Sequence, residues 1–246
     1  MLTIMKQDLI NLWKNKPIMM YLLIYPILLI PITGFVFNSI FTGGILNSYD
    51  YYGVTMMIYL SMATVIILPE MLFGSSVKYA NYRIIYSPIP RYQIYMSKLS
   101  VSILLSYLIL AFYTIVFNAT GFVNYGKSNI GSILLLELFL IIFSITFGGA
   151  FCVLINNEDI ATKILNLVIN IIAITSGLFF PLYIFGKRIA DISNMSPIAN
   201  VLSTFFSIIY DHNFTKMYST ILMLLISSFI FILIIHFKYR PEMFGE

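Results

Sequence analysis

Six stretches of this chain stay apolar for about twenty residues or more: 18–41, 52–76, 99–119, 130–155, 164–183 and 217–237. That feature decides the solvent in which the chain folds. An α-helix needs about 20 such residues to cross a hydrocarbon core about 30 Å thick. Lipid offers no partner to an open backbone N–H or C=O, so a spanning segment is a helix or a strand of a closed barrel. Barrel strands alternate apolar and polar positions over about ten residues. These runs are longer and uniformly apolar, and they predict helices. Composition agrees, with 60% hydrophobic and only 10% charged residues among 246. A soluble domain carries about 25% charged residues. The expected fold is therefore all-α: one polytopic transmembrane domain, residues 1–246, with six spanning helices.

The first run is too long for the h-region of a signal peptide, and no small-residue cleavage site follows it. Pro26 and Pro31 lie inside it and predict kinks. Orientation follows from lysine and arginine, which concentrate on cytoplasmic loops. Lys6, Lys14, Lys16, Lys78, Arg83, Arg91, Lys98, Lys163, Lys238 and Arg240 fall on one side, and Lys127, Lys187, Arg188 and Lys216 on the other. Ten against four predicts both termini in the cytoplasm. The net charge of +4 is accounted for by this topology and needs no nucleic-acid partner.

Two flanking segments have helical character without spanning. In residues 1–16, Leu2, Met5, Leu9 and Leu12 recur at helical spacing, with Lys6, Asp8, Asn11 and Lys14 mostly elsewhere. This predicts an amphipathic helix on the cytoplasmic interface, with Trp13 near the headgroups. Segment 184–216 is long for a connection. Ser196 and Pro197 read as a helix N-cap and first turn. The apolar positions Ile198, Val201, Leu202, Phe205 and Ile208 follow, predicting a short helix on or dipping into the outer leaflet.

Residues 121–128, GFVNYGKS, match the phosphate-binding pattern G-x-x-x-x-G-K-[ST]. A working P-loop needs a strand before it and a helix after it in an α/β domain. Here it joins two spans on the predicted outer side, and reads as a turn in which Gly121 ends one helix and Gly126 permits the next. One cysteine, Cys152, excludes an intrachain disulfide. His212 and His236 are far apart, so no metal site is expected. Nor is a catalytic constellation, such as paired aspartates or Ser/His within the bilayer.

Polar groups inside the spans carry more weight, because a buried carboxylate or amide in lipid demands a partner. Pro69 frees a backbone carbonyl beside Glu70 and predicts local irregularity. Glu70 and Glu137 read either as cavity or proton-relay groups or as structural hydrogen-bonding groups. Thr162, Asn166, Asn170, Ala173 and Gly177 advance by three or four residues and predict one polar face, turned to another helix, a dimer mate or a water-filled path. Ser144 with Gly148, and Ser102 with Ser106, read as close-packing pairs.

Three stretches, in this order among six spans, resemble the membrane subunit of type-2 ABC exporters over essentially the whole chain. They are YSPIPRYQIYMSK (86–98), SGLFFPLYIF (176–185) and ISNMSPIANVLSTF (192–205). Many members carry E-R-E-x-G-T before the basic loop; the matching SSVKYAN (75–81) lacks those acids, so no acidic contact is carried over there. The resemblance implies an exporter in a bacterial cell membrane, built from two such subunits, as a homodimer or with a homologous permease. Two cytoplasmic ABC ATPase subunits would bind ATP and magnesium, with no cofactor in this chain.

The resemblance also makes 77–98 a coupling loop, with Arg83, Ser87, Pro88, Arg91, Lys98, Glu158 and Asp159 toward the ATPase. Phe180, Pro181 and Pro197 fall at an extracellular gate. Many Phe, Tyr and Met residues and few intramembrane charges favour hydrophobic or amphipathic cargo, such as a peptide, toxin, drug or lipid-like molecule; exporters of phenol-soluble modulins or bacteriocins would fit. The alternatives are a polysaccharide or lipid-linked glycan exporter, a non-transporting peptide-binding or immunity subunit, and an ion-coupled secondary transporter.

Overall fold

The computed structural model describes residues 2–41, 46–74, 77, 81, 89–182 and 196–239. Every regular element among them is helical. In chain order these are α1 (Leu2–Lys14), α2 (Lys16–Val36), α3 (Ser48–Ala63), α4 (Ile67–Phe73), α5 (Arg91–Thr120), α6 (Ile130–Ile155), α7 (Glu158–Thr175), α8 (Pro197–Tyr210) and α9 (Thr215–Lys238). The chain is a polytopic helical membrane protein. Among the described residues, five helical segments are long and apolar enough to cross a bilayer: Lys16–Val36, Ser48–Phe73, Arg91–Thr120, Lys127–Ile155 and Thr215–Lys238.

The expected span 164–183 differs. α7 starts six residues earlier, at Glu158, and ends at Thr175. Its first turns hold Glu158, Asp159 and Lys163, so its apolar part is short. Asn157 starts it by accepting from the Ile160 N–H at 3.0 Å. It stops because Gly177 takes the left-handed conformation, φ +82°, which only glycine adopts without strain.

Span α6 has the boundaries read from the sequence, and it is the hub. It packs against α3, α4, α5, α7 and α9. In an 18-residue apolar stretch of Ser48–Phe73, 78% is buried, against only 22% in that of Thr215–Lys238, so the former lies at the centre and α9 at the periphery. The central segment is not one helix. Pro69 has no N–H for the carbonyl four residues back, that of Val65. The chain there tightens into a 3-10 turn, Thr64–Ile66. Gly148 of α6 comes so close to the Val65 carbonyl that a Cβ would collide with it, and Ser144 Oγ donates to the Met62 carbonyl. The irregularity and the small-residue pair are thus two halves of one contact.

α2 runs through both Pro26 and Pro31. At the N-terminus, α1 leaves Leu2 and Trp13 exposed and buries Leu12. Asp8 departs from the expected polar face and is fully buried against α5.

The two ends of the bundle are chemically distinct. One gathers α1, the starts of α2, α5 and α7, and the ends of α4 and α9; we call it the basic end. At the other, Gly121 (φ +71°) and Gly126 (φ +85°) shape the turn after α5. Tyr125 Oη donates to the Gly53 carbonyl at 2.9 Å and the Asn124 N–H to Asp50 Oδ1 at 2.7 Å. The P-loop-like sequence is a turn between two helices, with no preceding strand.

Candidate functional site

Of the residues singled out in the sequence, Glu70, Glu158 and Asn166 meet at the basic end. Asn15 stands between α1 and α2. Its Oδ1 accepts from the Ile18 N–H at 3.2 Å, capping α2, and its Nδ2 donates to Glu70 Oε1 at 3.0 Å. Glu70 is therefore tied to the first turn of α2. Glu158, at the start of α7, lies close to it. Burial, then the charge of Glu70, then that of Asp159, push the Glu158 carboxyl up to about 7.

Asn15, Ile18, Glu70, Glu158, Thr162 and Asn166 line a cleft of about 270 Å³. Three helices, α2, α4 and α7, meet there, and the polar face of α7 begins in it. Asn166 and Asn170 are both exposed on the chain's surface. Asn170 has internal partners: its Oδ1 accepts from Tyr59 Oη at 3.0 Å, and its Nδ2 donates to the Asn166 carbonyl at 2.8 Å. The Asn166 side chain has no hydrogen-bond partner among the described residues. The stripe is shorter than its sequence spacing suggests. Ala173, on the same face, is fully buried. Gly177 lies past the helix end, buried in the turn, where its carbonyl accepts from Tyr51 Oη at 2.6 Å.

Glu137 is not part of this cleft. It is 2% exposed, and its Oε2 accepts from Thr114 Oγ1 of α5 at 3.0 Å. Its Oε1 is buried without a partner among the described residues.

Of the coupling residues, Arg83, Ser87 and Pro88 lie outside the described residues. Arg91 opens α5 and is exposed, as is Asp159. Lys98 requires a correction. It is 0% exposed, and its Nζ sits 2.9 Å from Asp8 Oδ1, itself 0% exposed. Ser97 Oγ donates to the other Asp8 oxygen at 2.7 Å. A side chain with no exposed surface has none to offer a partner subunit; Lys98 anchors α1 to α5. Nothing in the sequence pattern pairs these residues. Asn15 could have been found, since an asparagine two residues before a proline is a helix-start signal.

At the opposite end, Phe180 meets Phe37 edge to face at 5.5 Å, and Phe37 stacks on Tyr52 at 5.2 Å. Tyr52 Oη donates to the Phe179 carbonyl at 3.1 Å. Tyr51 stacks on Phe206 of α8 at 5.6 Å. Pro181 is buried and Pro197 exposed. Aromatic contacts thus bind the turn after α7 to the end of α2, the start of α3 and, through Tyr51, to α8.

A bundle of apolar helices, a polar cleft at its basic end and an aromatic cap at the other define a multi-pass membrane protein with the layout of a transport subunit. Residues 1–210 match the family model of the ABC-2 type transporter, and the chain belongs to that family. It is the membrane permease component of an ABC transporter, the part distinct from the ATPase. Neither a curated protein nor a solved structure matches the chain.

Proposed function

We propose that this chain is the permease subunit of an ATP-driven exporter. It pairs with a second copy or a homologous permease and moves hydrophobic or amphipathic cargo outward across a bacterial cell membrane. The basic end then faces the cytoplasm, where two separate ATPase subunits bind ATP and magnesium. The observation that carries this reading is the α7 face. An asparagine presented to lipid without a partner is unfavourable, and Asn166, exposed at the cleft, has no side-chain partner among the described residues. A facing subunit, a water-filled path or both would satisfy it.

The chemistry of the remaining parts supports the same layout. ATPase closure would act on segment 77–98 and on Asp159. Arg91 opens α5, a single helix of 30 residues, so a push at its start is transmitted along its length. Glu70 and Glu158 bring α4 and α7 together at the inner mouth of the path. The aromatic cap around Phe180, with Pro181 and Pro197, would close its outer mouth. Apolar cargo is supported by a second cavity, about 200 Å³, lined by Met62, Val65, Phe143, Phe147, Ile169 and Ile172 among others.

The test is to purify the tagged chain from its native membrane with whatever accompanies it. A stoichiometric ABC ATPase, whose ATP turnover rises on adding an amphipathic peptide, is expected. Isolation as a lone monomer or dimer without an ATPase would overturn the exporter reading.

A further inference from the structure

Glu137 takes no part in the cleft at the basic end. It lies in α6 about 10 Å from the Ile130 start, at about 1.5 Å per residue, and is 2% exposed. We propose that Glu137 is a proton-binding site. It is held as the neutral acid against Thr114 of α5, and it keeps its proton while α5 and α6 stay in contact. The proposal rests on the chain being a membrane protein and not on the exporter reading.

Hydrogen-bond geometry is the main support. Thr114 Oγ1 lies 3.0 Å from Glu137 Oε2 and 3.2 Å from the Leu110 carbonyl oxygen. A hydroxyl has one proton to donate. If Glu137 is ionised, its carboxylate and that carbonyl compete for the threonine proton, and one contact is left oxygen against oxygen. If Glu137 is protonated, Oε2–H donates to Thr114 Oγ1 and the threonine proton goes to Leu110. One added proton thus satisfies both contacts. Oε1 points to the same state. It is buried without a hydrogen-bond partner, and Glu137 forms no ion pair among the described residues. An unpartnered neutral oxygen costs far less than an unpartnered charged one, above all within a spanning helix.

The surrounding groups offer no counter-charge. Tyr107 of α5 and Tyr125 of the turn after it are within electrostatic reach of Glu137. Burial first, then Glu137 and Asp50, hold the Tyr125 hydroxyl well above its ordinary range, so it stays an uncharged phenol. From α3 comes Asp50, which accepts from the Asn124 N–H at 2.7 Å. From α8 comes Tyr210, within reach of Asp50. Lys127, before α6, and Lys216, at the start of α9, are exposed. The charged groups of α4 and α7 and the last turn of α9 lie at the basic end. A rearrangement that parts α5 from α6 would bring water to Oε1 and let the proton leave to it. Proton binding and the closed α5–α6 contact therefore favour each other.

The experiment uses the full chain in mild detergent, with Glu158→Gln as the parent so that the carboxyl of the cleft does not contribute. Infrared difference spectra at neutral pH compare this parent with the same chain carrying Glu137→Gln. We expect a carboxylic-acid C=O band in the parent that Glu137→Gln removes. Thermal unfolding is then followed between about pH 6 and about pH 10, which brackets buried glutamic acids. The parent midpoint should fall by several degrees as pH rises, and Glu137→Gln, whose amide donates to Thr114 without titrating, should be nearly flat. Thr114→Val gives a second reading should Glu137→Gln not fold: the acid band is retained and shifted, since the acid has lost its acceptor. Loss of a carboxylate band in place of the acid band would show that Glu137 is ionised. Equal falls in parent and Glu137→Gln would assign the pH dependence to other groups and leave Glu137 unlinked to packing. An unshifted band in Thr114→Val would remove Thr114 as the acceptor. Each of these three results overturns the proposal.

Discussion

Asp8 and Lys98 are each 0% exposed, so neither has water to turn to when the other is removed. Breaking a buried ion pair from one side leaves an uncompensated charge and costs about 3–5 kcal/mol, whereas replacing both partners by apolar groups is often neutral. Asp8→Leu and Lys98→Met should each lower the thermal midpoint by several degrees, and the double substitution should recover most of the loss; unfolding scans in detergent check this. Glu158 gives a pH dependence. Its carboxyl is raised from an ordinary 4.5 to about 7, first by burial and then by Glu70. The folded chain therefore holds a proton that the unfolded chain releases. Its contribution to stability is complete below about pH 4.5 and is lost as pH rises through about 7. The midpoint should fall across that window, and Glu158→Gln should flatten the profile.

Between α6 and the 3-10 turn of the central segment, close approach matters more than chemistry. A Cβ at Gly148 would strike the Val65 backbone, which cannot rotate away, whereas one at Gly131, also on α6, would meet nothing within 4 Å. Gly148→Ala should destabilise by about 1–3 kcal/mol, the usual cost of overpacking. Gly131→Ala should be neutral or stabilising by up to about 1 kcal/mol, from helix propensity. The pair isolates packing from propensity within one helix. If both variants unfold at the same temperature in detergent, the close α6 contact is not the constraint proposed.

For the whole molecule, the decisive surface is the one a single chain leaves uncovered. α7 exposes Asn166 and Asn170 together with Leu167, Ile171 and Ile174. In a Cys152→Ala background, cysteines at Asn166 and Asn170 should crosslink two copies in native membranes or react with a water-soluble thiol reagent. A cysteine at Phe229 on the exposed side of α9 should do neither. Labelling of all three positions alike would remove α7 as the partner or path face. Absence of both reactions at α7 would mean that lipid covers it. Arg91→Glu, with Asp8, Lys98 and the helices unchanged, should lower cargo-stimulated ATP turnover while leaving thermal stability near that of the parent; unchanged turnover would remove Arg91 from coupling.

The amino-acid sequence by itself determined the helical class, the position of nearly every spanning helix, the α8 start at Pro197 and the false P-loop. These follow from one-dimensional rules: apolar length against bilayer thickness, and helix-start and turn residues acting on their immediate neighbours. It also pointed to Glu70, Asn166 and Asn170, because polarity inside an apolar run is visible without coordinates. Tertiary structure alone decided which of these meet. Glu70 reaches Asn15 and Glu158 across three helices, while Glu137 turns to Thr114 instead. Ala173 shares the helical face of Thr162 and Asn166, yet it is fully buried, because packing covers that part of the face and helical spacing alone does not show packing. Lys98 was misread for a related reason. Near the end of a spanning helix, a lysine obeys the charge rule equally well in solvent or sealed against Asp8, and only the docking of α1 on α5 distinguishes the two.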